Sequence, residues 1–171
     1  IDPLDGTVNY LYDLPGWNVS IAAKDERGQL VGVVTAPSIN STWWAVRGGG
    51  AFFNGRAIRC NDPIEMNRAL LATGFQYDTA HRDQQIEHVS RALPIIRDIR
   101  RNGAAAVDLC HVAMGRVDGY YEHGWKEWDW AAAGITPPPV KNNVIYLFLL
   151  SRQLLKRTYV FLITQIFTPE A

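Results

Sequence analysis

Two aspartates three residues apart, followed directly by glycine and threonine, are the residues of this chain best suited to chemistry. They stand in the opening segment, IDPLDGTVNY, as Asp2 and Asp5. Pro3 lies between them, and its fixed φ angle stiffens a turn in which both carboxylates can converge on one point. Converging carboxylates favour Mg²⁺, which proteins hold with one or two carboxylates together with oxygens of a substrate phosphate. The segment therefore predicts a magnesium site, and the alternative is an ordinary Asp/Gly turn.

The two residues after Asp5 supply groups that suit a phosphate. Gly6 lets a phosphate approach the main chain, and Thr7 offers a hydroxyl and an amide N–H where a helix or turn begins. A plain N-cap role for Thr7 is compatible with that chemistry. Together these residues indicate metal-assisted attack on a phosphate ester.

A further carboxylate stands far downstream, in the segment EWDWAAAG at Glu127–Gly134. The spacing predicts a short helix rich in small residues, with Asp129 at its head. This aspartate either joins the acidic site or caps the helix and complements its dipole.

Together these segments resemble the inositol monophosphatase family of Mg²⁺-dependent phosphomonoesterases. The family carries D-P-[IL]-D-G-T-x-N-[FY] and later W-D-x-A-[AG]-[AG]-G, which stand here as Asp2–Tyr10 and Trp128–Gly134. Two intermediate segments agree: Gly49–Ile58 resembles the family's G-x-G-A-F-x-N-G hairpin, and Gly103–Glu122 resembles its substrate-side helix and strand. The resemblance covers residues 1–135 and implies an α+β fold with α/β/α/β/α layers of the sugar-phosphatase type.

The resemblance assigns metal binding and catalysis to particular residues. It implies four metal ligands: Asp2, the carbonyl of Leu4, Asp5 and Asp129. Asp5 would bridge two Mg²⁺ ions, which at about 3.5–4 Å apart neutralise a phosphate and activate a water. Thr7 would hold that water, and the amides of Gly6 and Thr7 would hold phosphate oxygens. The implied catalytic residues are thus Asp5 and Thr7.

The alcohol part of the substrate is assigned, again by resemblance, to five residues: Gly103, Ala104, Ala105, Glu122 and Asp129. The small residues would admit a polyol, and the carboxylate of Glu122 would accept hydrogen bonds from its hydroxyls. The alternative for Glu122 is a surface salt bridge with Lys126 or an arginine. His123 is a weaker metal candidate because hard ions prefer oxygen ligands.

The expected function is hydrolysis of inositol monophosphate or a similar polyol phosphate. The residues after D-G-T, Val8 to Tyr10, are similar to the inositol and histidinol phosphatase groups, so histidinol phosphate is an alternative substrate. The family's upstream G-E-E glutamate has no counterpart from Ile1 onward, so we expect a fragment that lacks the N-terminal part and has negligible activity alone. A metal-binding remnant without turnover is the alternative from another class. A full-length form is expected to allow a homodimer.

Composition bounds the remaining possibilities. The 171 residues, 47% of them hydrophobic, suit one domain or a piece of one, and the net charge of zero gives no electrostatic footprint for nucleic acid. Cys60 and Cys110 lie far apart without metal or disulfide spacing, so we expect free thiols in a reducing compartment, the cytoplasm.

Periodicity predicts strands first and helices later. We expect an antiparallel meander at residues 18–23, 29–35 and 42–47, a hairpin at Gly48–Gly50 and another at Asn54-Gly55. Apolar residues at helical spacing predict a helix over Asp83–Ile99 with a kink at Pro94. Its predicted apolar face consists of Ile86, Val89, Leu93 and Ile96. A second helix at 104–114 and a strand at 119–122 follow.

The residues after 135 form a divergent tail of unknown role. Prolines 137–139 halt any helix. Two apolar stretches, Val144–Leu150 and Tyr159–Ile163, fall short of the roughly 18 residues that span a bilayer, so no membrane span is expected.

Overall fold

A computed structural model describes residues 1–62, 64–77, 82–122, 124 and 126–135. The described residues form a large antiparallel sheet and a small parallel sheet. The strands of the large sheet pair in chain order: β1 Asp2–Asp5, β2 Asn18–Asp25, β3 Gly28–Ala36, β4 Ser41–Val46, β5 Gly50–Phe53 and β6 Arg56–Ile58. The predicted meander is therefore confirmed, because each strand lies antiparallel beside the next.

Local turn chemistry explains these pairings. Asn54 and Gly55 both have positive φ angles, 46° and 79°, as a two-residue hairpin between β5 and β6 requires. The turn from β2 to β3 is closed by Arg47, whose guanidinium binds the carboxylate of Asp25 and the carbonyl of Gly28. Both predicted glycine hairpins are confirmed.

The opening segment differs from the predicted turn. Residues Asp2–Asp5 form strand β1, which pairs with β2 through Asp2 opposite Ser20 and Asp5 opposite Asn18. The register shifts between these two pairs, so the strand is irregular there. Gly6 then turns the chain into helix α1, Thr7–Leu11, with a φ angle of 76°. The prediction of a stiff turn was wrong because β2 offers this segment a pairing edge.

The small sheet was largely missed by the sequence patterns. Its strands are β7 Leu70–Thr73, β8 Asp98–Arg100 and β9 Gly119–Tyr121, which lie parallel in the order β8-β7-β9. Helix α2, Arg82–Ala92, connects β7 to β8, and helix α3, Ala105–Ala113, connects β8 to β9. The helix at 104–114 and the strand at 119–122 are confirmed to within about a residue.

Helix α2 corrects the predicted helix over 83–99. It ends at Ala92, two residues before Pro94, and residues 98–100 form β8 instead. Its buried side is also different, because Gln85, His88 and Ala92 are buried while Ile86 and Leu93 are 56% and 49% exposed. Proline disfavours helical backbone in the residue before it, which accounts for the early end.

Helix α3 lies between the two sheets and forms the centre of the core. One side, with Ala106, Val107 and Cys110, packs on Val34 and Trp43 of the large sheet. Its other side, with Leu109 and Val112, packs on the small sheet, whose far face is covered by α2 and Ile96. The described layers are thus sheet, helix, sheet and helix, and the predicted α+β class is confirmed.

The remaining predictions concern the C-terminal part and the cysteines. Asp129 lies in a short helix, α4, which spans only Glu127–Trp130 and is followed by a 3₁₀ turn at Ala133–Ile135. Cys60 is half-buried, Cys110 is buried, and both are free thiols. His123 and residues 136–171 lie outside the described residues. Within the described ranges, no helix has the length and apolar character of a bilayer span.

Candidate active site

A cleft of about 280 Å³ lies where the three parallel strands end. Residues that directly follow these strands line it: 74–77 after β7, Arg101 and Gly103 after β8, and Glu122 after β9. The opposite wall comes from the end of β1 and from helices α3 and α4. Ligands in sheets of this kind bind at the carboxyl ends of parallel strands, so the topology itself favours a binding site here.

Acidic groups dominate the lining of this cleft. Among the described residues, four carboxyl groups line it: Asp5, Asp108, Glu122 and Asp129. Burial, the largest cause, raises the pKa of each, and the pKa of Asp108 reaches about 7. Repulsion between neighbouring carboxylates adds to the effect, as Asp5 and Glu122 do for Asp108. Arg101 and Lys126 are the cations of the lining, so negative charge is in excess and a bound cation would be stabilised.

Asp5 is held by two hydrogen bonds to one oxygen. The side-chain amide of Asn18 donates to Oδ2 at 2.8 Å, and the main-chain N–H of Ala106 donates to the same atom at 2.9 Å. Ala106 lies in the first turn of α3, whose helix dipole favours a carboxylate there. Oδ1 of Asp5 accepts no hydrogen bond within the described part of the chain, so this oxygen remains for a ligand.

The three carboxylates predicted to bind metal lie close enough for their charges to interact. The charge of Asp2 raises the pKa of both Asp5 and Asp129, and Asp129 also raises that of Asp5. Asp5 and Asp129 line the cleft, whereas Asp2 lies beside it and accepts a hydrogen bond from the N–H of Leu4 at 3.1 Å. In the described ranges, however, no three His, Cys, Asp or Glu side chains stand close enough to form a ready metal cluster.

Asp129 and Thr7 have contacts of their own. One carboxylate oxygen of Asp129 accepts the N–H of Lys126 at 2.5 Å, the helix-start contact considered as its alternative role. The hydroxyl of Thr7 donates to the carbonyl of Leu4 at 3.0 Å, so two predicted site groups contact each other. Thr7 itself is exposed and lies outside the lining of the cleft.

Gly6 is required by two independent constraints. Its φ angle of 76° suits glycine, and a Cβ atom there would lie 3.1 Å from the Cβ of Ala104 and 3.2 Å from the Cα of Trp17. The main chain at Gly6 thus packs directly against the start of α3, which brings the acidic motif to the predicted substrate residues Gly103, Ala104 and Ala105. All three line the cleft, as Gly6 does.

Asn9 connects this motif to the loop after β8. Its side-chain amide donates to the carbonyls of Pro15 and Asn102, both at 2.8 Å, and it is 5% exposed. The side-chain amide of Asn102 in turn donates to Asp108. These bonds fix the backbone between Arg101 and Ala104, and the sequence motif alone gave no role for Asn9.

The carboxyl group of Glu122 lies close to Tyr120 and Gly74. The hydroxyl of Tyr120 donates to its Oε2. A Cβ atom on Gly74 would lie within 2.4–2.5 Å of its carboxyl group, so a side chain there would displace the carboxylate. Within the described residues Glu122 makes no ion pair, so the alternative of a surface salt bridge with Lys126 or an arginine was wrong.

Sequence reasoning missed Asn18, Arg101, Asp108 and Tyr120. A signal existed for Arg101, because it follows β8 directly, but three-residue strands such as β8 give almost no periodicity to detect. The others reach the site through tertiary packing.

Comparison with known proteins gives consistent relatives. The protein-family model described as "Inositol monophosphatase family" matches residues 1–135. The chain is 42% identical over 139 residues to "Inositol-1-monophosphatase SuhB" of Mycobacterium tuberculosis, covering 79% of this chain and 48% of that protein. It is 43% identical over 136 residues to "Nus factor SuhB" of Pasteurella multocida, covering 79% and 51%. The chain thus spans about half the length of the curated relatives it matches.

Solved structures agree with the fold. Mycobacterium tuberculosis SuhB superposes with a TM-score of 0.82 at 35% identity, covering 97% of this chain and 70% of that one. An inositol monophosphatase from Anabaena superposes with a TM-score of 0.76 at 40% identity, covering 79% and 55%.

Proposed function

The chain belongs to the inositol monophosphatase family, and from this premise we propose that it forms part of a Mg²⁺-dependent phosphomonoesterase acting on inositol monophosphate or a similar polyol phosphate. The observation that carries the proposal is the acidic cleft at the ends of the parallel strands, where four carboxyl groups with raised pKa values face two cations.

The donor set of this cleft fits a hard divalent cation. Its oxygens are carboxylates, which Mg²⁺ prefers. Burial, and to a smaller extent repulsion from neighbouring carboxylates, raises the pKa of Asp5 and Asp129, and a bound cation would relieve that repulsion. We assign the metal to the carboxylates of Asp2, Asp5 and Asp129 with the carbonyl of Leu4. Bound there, Mg²⁺ would neutralise the phosphate and lower the pKa of a water molecule.

The chain's own residues position the phosphate and the water. Gly6 lines the cleft, and its amide and that of Thr7 are the donors we assign to phosphate oxygens. The hydroxyl proton of Thr7 is committed to the carbonyl of Leu4. Thr7 therefore meets the water as a hydrogen-bond acceptor, which orients the water without removing its proton.

The alcohol part of the substrate is assigned to the other end of the cleft. Gly103, Ala104 and Ala105 leave room beside the start of α3, and Glu122 offers a carboxylate oxygen to a hydroxyl group. Asp129 lies between the two ends in this proposal, as a metal ligand that also contacts the substrate.

Metal binding is the first test, and it needs no turnover. Terbium(III) can replace Mg²⁺, and its luminescence is excited through nearby tryptophan such as Trp128, which lines the cleft next to Asp129. We expect Asp129→Asn to weaken terbium binding by about tenfold or more, since it removes one of few charged ligands. Asp83→Asn, which removes an exposed carboxylate on α2, is the matched control and should bind as the unchanged chain does.

Phosphate release is the second test. We expect Mg²⁺-dependent release from myo-inositol 1-phosphate in a full-length form of the protein, and loss of that release in a folded Asp129→Asn variant. Unchanged release would remove Asp129 from the metal site. Faster release from histidinol phosphate would favour that alternative substrate, and metal binding without release from either ester would favour a remnant without turnover.

A further inference from the structure

The surroundings of Glu122 are built more tightly than hydrogen bonding to a substrate alone requires. Glu122 follows β9 directly, its carboxyl group is half-buried, and it lines the cleft. Burial raises its pKa, while the hydrogen bond from Tyr120 lowers it. Specific neighbours thus hold this carboxylate where burial disfavours its charged form.

Tyr120 fixes one of the two oxygens. Its side chain is 1% exposed and packs in the core between α3 and the small sheet, so its hydroxyl has little freedom to move. That hydroxyl donates to Oε2 of Glu122. Among the described residues Oε1 accepts no hydrogen bond, so the pair leaves one acceptor oxygen available at one place.

Gly74 leaves the space that the carboxyl group of Glu122 occupies. It is the first residue after β7, and its backbone φ angle is not one that demands glycine. A Cβ atom there would nevertheless lie 2.4 Å from the Cδ and 2.5 Å from both oxygens of Glu122. The absence of a side chain at Gly74 therefore leaves the room that the carboxylate occupies in this position, and the backbone conformation does not demand glycine.

We propose that Tyr120 and Gly74 are positioning residues that set substrate specificity, by presenting Oε1 of Glu122 to a hydroxyl group of the alcohol part of the ester. The proposal rests on the proposed function, because it concerns the same cleft. Preference for a polyhydroxylated alcohol over a ring without hydroxyl groups then depends on the contacts of Tyr120 and Gly74 with Glu122. A buried acceptor that a ligand leaves unpaired costs binding, so an ester without hydroxyls is disfavoured.

Two esters of equal ring size separate this role from general packing. Myo-inositol 1-phosphate carries ring hydroxyls, and cyclohexyl phosphate carries none. The dissociation constants of both are measured for the 171-residue chain by isothermal titration calorimetry, with and without Mg²⁺. We expect the unchanged chain to prefer inositol phosphate by about tenfold or more, the worth of a hydrogen bond to a charged group.

The decisive variant is Tyr120→Phe, and its matched control is Tyr121→Phe. The neighbouring Tyr121 is also buried, but its hydroxyl contacts His88 instead of Glu122. Tyr120→Phe should reduce the preference about tenfold by weakening inositol phosphate alone, whereas Tyr121→Phe should keep it. A role in packing only would weaken both esters equally and leave their ratio unchanged, which would overturn the proposal.

A second pair of variants decides the matter if Tyr120→Phe does not fold. Gly74→Ala should displace the carboxylate and abolish the preference, while Gly49→Ala, whose Cβ would lie 3.3 Å from Val46 in a turn outside the cleft, should keep it. If the unchanged chain binds both esters equally, this inference fails and the proposed function stands. If it binds neither, the proposed function fails and this inference fails with it.

Discussion

Asp108 shows how a single buried side chain couples the site to stability. It is 1% exposed in the first turn of α3, and its pKa of about 7 exceeds the ordinary value of 3.8, chiefly because of burial. Between those two values the folded chain binds a proton that the unfolded chain does not. The free energy of unfolding therefore falls as the pH rises from about 4 to about 7, and the cost is fully present above that.

We expect Asp108→Asn to stabilise the chain at pH 8 by an amount on the order of a few kcal/mol, with little change at pH 4. An asparagine oxygen can still accept the hydrogen bond from Asn102, but it carries no charge to be desolvated. Urea unfolding at the two pH values measures the difference. The exposed control Asp83→Asn should shift stability equally at both, and a gain for Asp108→Asn that did not depend on pH would contradict the raised pKa.

At this scale, sequence motifs located residues but not their partners. Asp5, Gly6, Gly103 and Glu122 were predicted from local strings, and all of them line the cleft. Their metal and substrate roles stay predictions. Asn18, Asp108 and Tyr120 were missed because their positions depend on which segments meet in three dimensions, and no spacing within one segment encodes that.

At the scale of elements, the site depends on how α1 is attached to the loop after β8. Asn9 makes this attachment, since its amide bonds the carbonyls of Pro15 and Asn102 at the same time. Its Oδ1 would also lie 2.5 Å from a Cβ on Gly103, so the two segments are in close contact.

We expect Asn9→Ala to lower the free energy of unfolding by about 1–3 kcal/mol, because it leaves two carbonyls without their donor. It should also speed amide hydrogen exchange in residues 101–105, which line the cleft. Asn61→Ala is the control, because Asn61 is exposed and donates to Asp118 away from the cleft. Equal exchange in the two variants would show that the attachment does not order the loop.

The elements also show where periodicity fails. The large sheet was predictable because its strands are six to nine residues long near its centre and are joined by turns that carry Gly or Asn with positive φ angles. Helix α2 was misread because its buried face carries the polar residues Gln85 and His88 together with Ala92, and a search for apolar periodicity does not detect such a face. The strands β7 and β8 have four and three residues, too few to show an alternating pattern.

For the whole molecule, the unusual feature is that both faces of the large sheet are apolar. The inner face, with Val34 opposite Trp43, is buried under α3. On the outer face, Ile21, Val33, Trp44 and Phe52 lie side by side across four strands. Ile21 is 47% and Trp44 is 36% exposed, and Trp44 stacks on Phe52 with ring centroids 4.1 Å apart. Among the described residues no layer covers this row.

The predicted order of layers holds over the residues that the structure describes. The family resemblance implied five layers, and the described chain supplies four of them in the expected alternation. A sheet that is apolar on both faces favours a further layer, because each face is stabilised by packing against another element.

We expect this outer face to make the chain associate as its concentration rises. A row of adjacent apolar side chains gains free energy when another surface removes it from water, and that gain should increase with ammonium sulfate, whereas an electrostatic association would weaken with salt. Light scattering coupled to size-exclusion chromatography measures the mass at several concentrations. Trp44→Thr should shift the mass toward the monomer, because threonine suits a strand but removes the largest side chain of the row.

Tyr77→Thr is the matched control, since Tyr77 is 72% exposed but lies off the large sheet, and it should associate as the unchanged chain does. A mass that does not depend on concentration, or that falls equally in both variants, would rule out the outer face as the surface of association.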